Sequence, residues 1–319
     1  MRVVAGDIGG TKTLLRIIDF TSNPPAVVAE QRFESGRFSS FDAMLGVFLE
    51  HAPRPINAAC FAVAGPVLDE RAEVTNLHWT MESAALARAF NIPRVSLIND
   101  FYAVALGVPL LGDHDLLSIN KGSRVTGAPI GILGAGTGLG EAMVTFSGGA
   151  WHVLASEAGH ADFGPQDELQ SKLFLSLLER YGHVSWERVL SGMGLVNIFT
   201  FLGGAPNANG ADIAKLETEG DPIATQAFDT FVDVYGAEAG NVALRVLARG
   251  GVFLAGGIAG KHVARFTDGR FMKAFLRKGR FGDLLAEMPV DLITNEKVGL
   301  IGAAENARRV AESTYLPRG

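Results

Sequence analysis

Runs of apolar and β-branched residues open the chain and set a strand rhythm. "RVVAGDI" (2–8), "TLLRIIDF" (13–20) and "AVVAEQRF" (26–33) predict three strands, the first two joined by the turn "GGTK". Residues 40–51 change to helical spacing, and "INAACFAVAG" (56–65) reads as a buried strand that ends at Gly-Pro. Thr80 is expected to cap a helix running to about Phe90. "RVSLI" (94–98) is the next strand, and a helix follows Asn99-Asp100. From residue 129 the rhythm starts again. "PIGILGA", the turn "GTGLG", "EAMVTF" and "GAWHVLA" predict three more strands, and helices follow over about 166–181, 192–203 and 210–218. Asp221-Pro222 opens a long helix with a capping carboxylate and a proline at the first helical position. "GGVFLAGG" and "PVDLIT" are later strands, and "VGLIGAAENARRVAES" is the last helix.

The second half therefore repeats the plan of the first, with extra helices, and in each half a glycine-rich turn joins the first two strands. Two α/β lobes around a cleft are expected. Residues 1–110 plus 299–319 form the smaller lobe, and 111–298 the larger one with the inserted helices. The tail "YLPRG" and the loop "GGAPNANG" (203–210) are the expected mobile pieces.

Composition narrows the function classes. The 319 residues are 48% hydrophobic and 19% charged, enough for a sizeable core. The net charge is −6 with no basic stripe, which excludes a surface for a nucleic-acid backbone. A single cysteine, Cys60, forbids an internal disulfide and a multi-cysteine metal site. No signal peptide and no stretch able to span a membrane is read, so a soluble cytoplasmic protein is expected.

Six motifs carry chemistry. In "GDIGGTK", Gly6, Gly9, Gly10, Thr11 and Lys12 make a turn whose open backbone admits phosphate oxygens, and Asp7 is placed to hold Mg²⁺. An ordinary tight hairpin is the alternative. "GAGTGLG" (134–140) is its counterpart: Gly136 and Gly138 give open backbone and Thr137 a hydroxyl. It is not a dinucleotide fingerprint, because Leu139 stands where the third glycine would be and a strand follows. Gly256 and Gly257, at the end of a strand, leave room for a ribose or a flat ring, or form a plain strand-to-helix turn. Asn99 and Asp100 cap a helix in one reading. In the other, compatible reading, Asp100 is a carboxylate at the C-terminal edge of a strand, able to take a hydroxyl proton as that oxygen attacks a γ-phosphate. Glu157 and His160 in "SEAGHADFG" suit sugar hydroxyls, and Glu187 stands in the further motif "SWERVLSG". Solvent-exposed loop residues, and for Glu187 a helix start capped by Ser185, are the alternatives.

The duplicated plan with these motifs resembles the duplicated ribonuclease-H-like (actin/hexokinase) α/β fold and, more narrowly, the bacterial glucokinase family, over nearly the whole chain. The resemblance implies ATP-dependent phosphorylation of D-glucose at its 6-hydroxyl, with Asp100 as base. It implies Asn99, Glu157, His160 and Glu187 on the sugar. ATP and Mg²⁺ would be held by Asp7 and the glycine turns, and the protein would be a homodimer. A kinase for another hexose and a non-catalytic sugar-binding regulator remain alternatives. ROK sugar kinases share the fold but carry a zinc-binding cysteine cluster after the sugar-binding histidine. No cysteine follows His160, which favours the branch without zinc. Two positions depart from the family pattern. Lys12 replaces a common asparagine, and either adds charge near phosphates or pairs with a surface carboxylate. Ala158 replaces a common glycine, and would be strained if that backbone had positive φ.

Overall fold

The computed structural model describes residues 1–313; the tail 315–319, expected to be mobile, lies outside the described residues. The chain divides into two compact units. Unit 1 is Met1–Leu111 with the chain from Asn295 onward, and unit 2 is Gly112–Thr294.

Unit 1 holds β1 (Arg2–Ile8), β2 (Lys12–Asp19), β3 (Ala26–Glu34), α1 (Phe41–Leu49), β4 (Ala58–Val63), β5 (Val67–Leu68), β6 (Arg71–Val74), β7 (Trp79–Glu82), α2 (Ser83–Phe90), β8 (Val95–Asn99) and α3 (Asp100–Gly107). The main sheet has the order β3-β2-β1-β4-β8. Its first three strands are antiparallel, and β4 and β8 run parallel to β1. Every residue of β4 is buried, as a central strand covered on both faces requires. On one face Phe41, Met44 and Leu45 of α1 pack with Phe61 and Trp79. On the other, an alanine-rich layer (Ala5, Ala58, Ala62, Ala103) lets the C-terminal helix Val298–Glu312 and α3 come very close to the sheet and to each other. A Cβ on Gly302 would fall 1.8 Å from the Ala103 carbonyl oxygen.

The small sheet β5-β6-β7 was not expected from the sequence. Thr80 is inside β7 instead of capping a helix, and α2 starts at Ser83 after Glu82, whose side chain makes no capping bond. Strands of two and four residues offer too few alternations to register as a period.

Unit 2 repeats the plan. It holds β9 (Leu116–Asn120), β10 (Ile130–Ala135), β11 (Leu139–Ser147), β12 (Ala150–Ser156), α4 (Glu168–Tyr181), α5 (Gly192–Phe201), α6 (Gly210–Thr218), α7 (Pro222–Val246), β13 (Gly251–Ala255) and β14 (Val290–Ile293), with short helices between β13 and β14. The sheet order β12-β11-β10-β13-β14 matches that of unit 1. The further strand β9 pairs antiparallel with β14 and was also unforeseen. Asp221 accepts from the Ala224 amide at 2.8 Å, with Pro222 at the first position of α7, as expected. No helix among the described residues is long and apolar enough to cross a membrane.

Candidate active site

In unit 1, β8 runs straight into α3 at Asn99-Asp100. Asn99 Oδ1 accepts from the Phe101 and Tyr102 amides at 2.9 and 3.1 Å, capping the helix. Asn99 Nδ2 donates to the Gly65 carbonyl at 3.1 Å and to Asp100 Oδ1 at 3.0 Å. These four bonds fill the capacity of an amide side chain. Asn99 thus holds Asp100 in place, and a sugar hydroxyl at Asn99 would have to share or displace one of these bonds. Asp100 Oδ1 also accepts from the Phe101 amide at 2.8 Å, at the positive end of α3.

Asp7, near the end of β1, is half-buried, and a Cβ on Gly299 would lie 3.8 Å from its Oδ2. Burial, and then the charge of Asp100, raise its pKa from 3.8 to about 6. Two carboxylates that repel each other in this way fit a divalent cation, whose charge would relieve both. Mg²⁺ binds through one or two carboxylates plus substrate phosphates. Among the described residues no group of three or more His, Cys, Asp or Glu side chains could hold a metal, so Asp7 would share the ion with phosphate oxygens.

In the first hairpin the Gly9 amide donates to the Lys12 carbonyl at 3.0 Å, and a Cβ on Gly9 would lie 2.8 Å from that oxygen. Gly10 abuts Asn76, a neighbour the sequence reading missed. Thr11 and Lys12 are exposed, and Lys12 makes no ion pair among the described residues, which leaves its charge available for phosphate. Gly6 sits deeper. It is buried within β1, where a Cβ would come within 2.8 Å of Phe61 and Leu15 side-chain atoms, so packing requires glycine there.

Unit 2 brings three segments together. The hairpin between β10 and β11 carries Gly136, Thr137 and Gly138, and a Cβ on Gly136 would meet nothing within 4 Å. Glu187, in the turn Trp186–Arg188, reaches this hairpin: its Oε2 accepts from the Leu139 amide at 2.9 Å and lies 2.5 Å from where a Gly138 Cβ would be. Ser185 makes no side-chain cap there. Ser191 caps α5 instead, and the Gly192 amide donates to the Gly136 carbonyl at 2.8 Å. The turn Ala158–His160 packs against the same hairpin, because a Cβ on Gly159 would lie 2.3 Å from the Leu139 carbonyl oxygen. It also joins the Glu187 segment, the Trp186 amide donating to the Ala161 carbonyl at 3.0 Å. The side chains of Glu157 and His160 are exposed and make no bond to described residues. Ala158 is not among the residues with positive φ, so alanine is unstrained there, and close approach demands glycine at position 159.

Gly256 has φ +89°, and a Cβ there would lie 2.5 Å from the Ala135 carbonyl oxygen; Gly257 is open. The turn after β13 therefore adjoins the hairpin after β10.

The glucokinase family profile matches residues 4–310. The chain belongs to the glucokinase family. It is 41% identical to a glucokinase of Nostoc sp., covering 97% of this chain and 99% of the relative, and 34% identical to one of Tolumonas auensis, covering 97% of each. Among solved structures, a glucokinase from an Antarctic psychrotroph superposes with a TM-score of 0.89 at 30% identity, covering 97% of this chain and 99% of that one. A ROK hexokinase from Thermus thermophilus has a TM-score of 0.70 at 20% identity, covering 98% and 100%, and shares the fold. The family and the duplicated α/β fold inferred from the motifs are thereby borne out.

The sequence reading missed Tyr235, at the middle of α7. Its hydroxyl accepts from the Ala135 amide at 3.1 Å and donates to the Ala255 carbonyl at 3.3 Å. A tyrosine in the otherwise apolar and small-residue stretch "FVDVYGA" was the available signal.

Proposed function

We propose that this member of the glucokinase family transfers the γ-phosphoryl group of ATP to the 6-hydroxyl of D-glucose, giving glucose 6-phosphate, ADP and a proton. Asp100 orients the 6-hydroxyl and takes its proton. The phosphoryl transition state is loose, so that transfer comes late and positioning matters most. Asn99 locks the carboxylate of Asp100 and completes the helix cap, and it touches the sugar through an exchange of one of its bonds. Glu157 and His160 meet ring hydroxyls, the carboxylate accepting and the imidazole donating or accepting according to its tautomer. Glu187 does the same from a carboxylate already steadied by the Leu139 amide.

The phosphates are held by backbone N–H groups of Gly10 and Gly138, by the Thr11 and Thr137 hydroxyls and by the Lys12 ammonium, with Gly256 and Gly257 on the adenosine side; Gly9 and Gly136 close the two hairpins, their amides donating to the Lys12 and Gly138 carbonyls, and leave open backbone for the phosphates to approach. Gly6 supports the first turn from within β1. Mg²⁺, held by Asp7, supplies charge neutralisation at the transferring phosphates. A cytoplasmic homodimer belongs to the same reading, supported by the family resemblance, and light scattering on the purified chain tests the dimer.

One observation carries the proposal: a carboxylate fixed by the amide of its neighbour and by a helix N-terminus, with the electrostatically strained Asp7 close enough to feel its charge. Asp100→Ala should reduce glucose-dependent ADP release by about 10²–10⁴, the usual contribution of a general base. Its melting temperature should change little. Near wild-type turnover in this variant would remove Asp100 from the base role. A panel of hexoses with a no-sugar control tests the substrate, and glucose should give the strongest release.

A further inference from the structure

The parallel ladder between β10 and β13 ends at the pair Gly134 and Ala255. Beyond it the two strands part, each into a glycine turn. At this fork sits the Tyr235 hydroxyl, accepting from the Ala135 amide on one side and donating to the Ala255 carbonyl on the other. It acts as an additional rung where the backbone ladder has stopped.

The ring that carries this hydroxyl is fully buried. Phe231, Phe266 and Phe271 surround it edge-on, with centroids 6.0, 5.2 and 6.1 Å away. Such a cage fixes the ring plane and so the hydroxyl position. Burial pushes the phenol pKa up, so it stays protonated and keeps both bonds. The turns beyond the fork are differently constrained. Gly256 is pressed against Ala135, whereas Gly136 and Gly257 are open.

We propose that Tyr235 is a positioning residue for the nucleotide, setting the spacing of the 136–138 and 256–257 turns so that both meet one ATP. This rests on the reading above that those turns hold ATP. Replacing the hydroxyl by hydrogen leaves the Ala135 amide buried without its partner, and the turns are then free to spread. A tyrosine that only satisfies the core would affect stability and leave nucleotide affinity alone.

The experiment compares wild type with Tyr235→Phe, Thr137→Ala and Leu177→Ala, measuring KM for Mg-ATP, KM for glucose and the melting temperature. Leu177 is a buried residue of the same core with no part in the site. Tyr235→Phe should raise the ATP KM about tenfold, the scale of one lost buried hydrogen bond, and leave the glucose KM within about twofold. Thr137→Ala should also raise the ATP KM, and Leu177→Ala should lower the melting temperature without changing it. If Thr137→Ala raises the ATP KM and Tyr235→Phe does not, the role of Tyr235 is overturned while the nucleotide reading stands. If neither raises it, the nucleotide reading falls and takes the proposal with it. Equal rises in both KM values for Tyr235→Phe, or a matching ATP effect of Leu177→Ala, would make the role one of general stability and overturn it. Should Tyr235→Phe not fold, amide exchange in the wild type decides. ADP should slow exchange at Ala135 further, and an unchanged rate overturns the proposal.

Discussion

Asp7 and Asp100 show how much one charge changes when another is set beside it. With its pKa raised to about 6, Asp7 is protonated in the folded chain below that pH and ionised above it. A protonated carboxyl is a poor Mg²⁺ ligand, so kcat/KM for Mg-ATP should fall as pH drops through about 6. That limb should vanish in Asp7→Asn along with most of the activity, as a pH profile of both proteins would reveal. At this scale the sequence was legible wherever residue type alone carries the chemistry. Asn99-Asp100 reads as a cap and a carboxylate from their identities. What the sequence could not supply was the use of each atom: that Asn99 has all four of its bonds occupied, that Gly6 is glycine for the sake of Phe61 and Leu15, or that Gly159 and not residue 158 is the tight position. Such facts depend on neighbours far along the chain.

The longest elements were the most legible, though the four-residue β14 was read while the five-residue β9 was not. The 25-residue helix α7 announced itself through Asp221-Pro222, while the two- and four-residue strands β5 and β6 left no period to detect. Contacts between elements were not legible, and two of them make predictions. The C-terminal helix and α3 meet through Gly302, and Gly302→Ala should destabilise the protein by about 2–3 kcal/mol in urea unfolding, as overpacking does, despite alanine's better helix propensity. The second contact joins α7 to β11. Glu238 of α7 and Glu141 of β11 are buried together beside Arg245, which pairs with both. Burial first, and then the charge of Glu238, raise Glu141 to about 8. The folded state thus holds a proton that the unfolded state has released, and this contribution to stability is lost as pH rises from about 4.5 to 8. Glu141→Gln, neutral throughout, should gain on wild type in melting temperature across that window and hold its advantage above it. A difference that does not vary with pH would refute the proton held on Glu141.

At the scale of the whole molecule the duplication was the most legible feature, because in each half a glycine hairpin joins the first two of three successive predicted strands. It proved to be the same five-strand order in both units. The extra strand β9 was hidden because it joins its sheet as an antiparallel edge, far in sequence from its partner β14. The order of the segments along the chain has a further consequence, for biosynthesis. Unit 2 is continuous, whereas unit 1 is interrupted by it, and its sheet is covered by a helix made more than 180 residues later than α3. Arg94 donates to the carbonyls of Val310 and Ala311, 216 and 217 residues downstream. On the ribosome, the first strands to emerge must therefore wait with an alanine-lined face uncovered while the later-made unit completes itself. Stalled nascent chains in which Thr294 has cleared the exit tunnel on an added flexible linker should show unit 2 resistant to protease and unit 1 still open, a point at which a chaperone has most to hold.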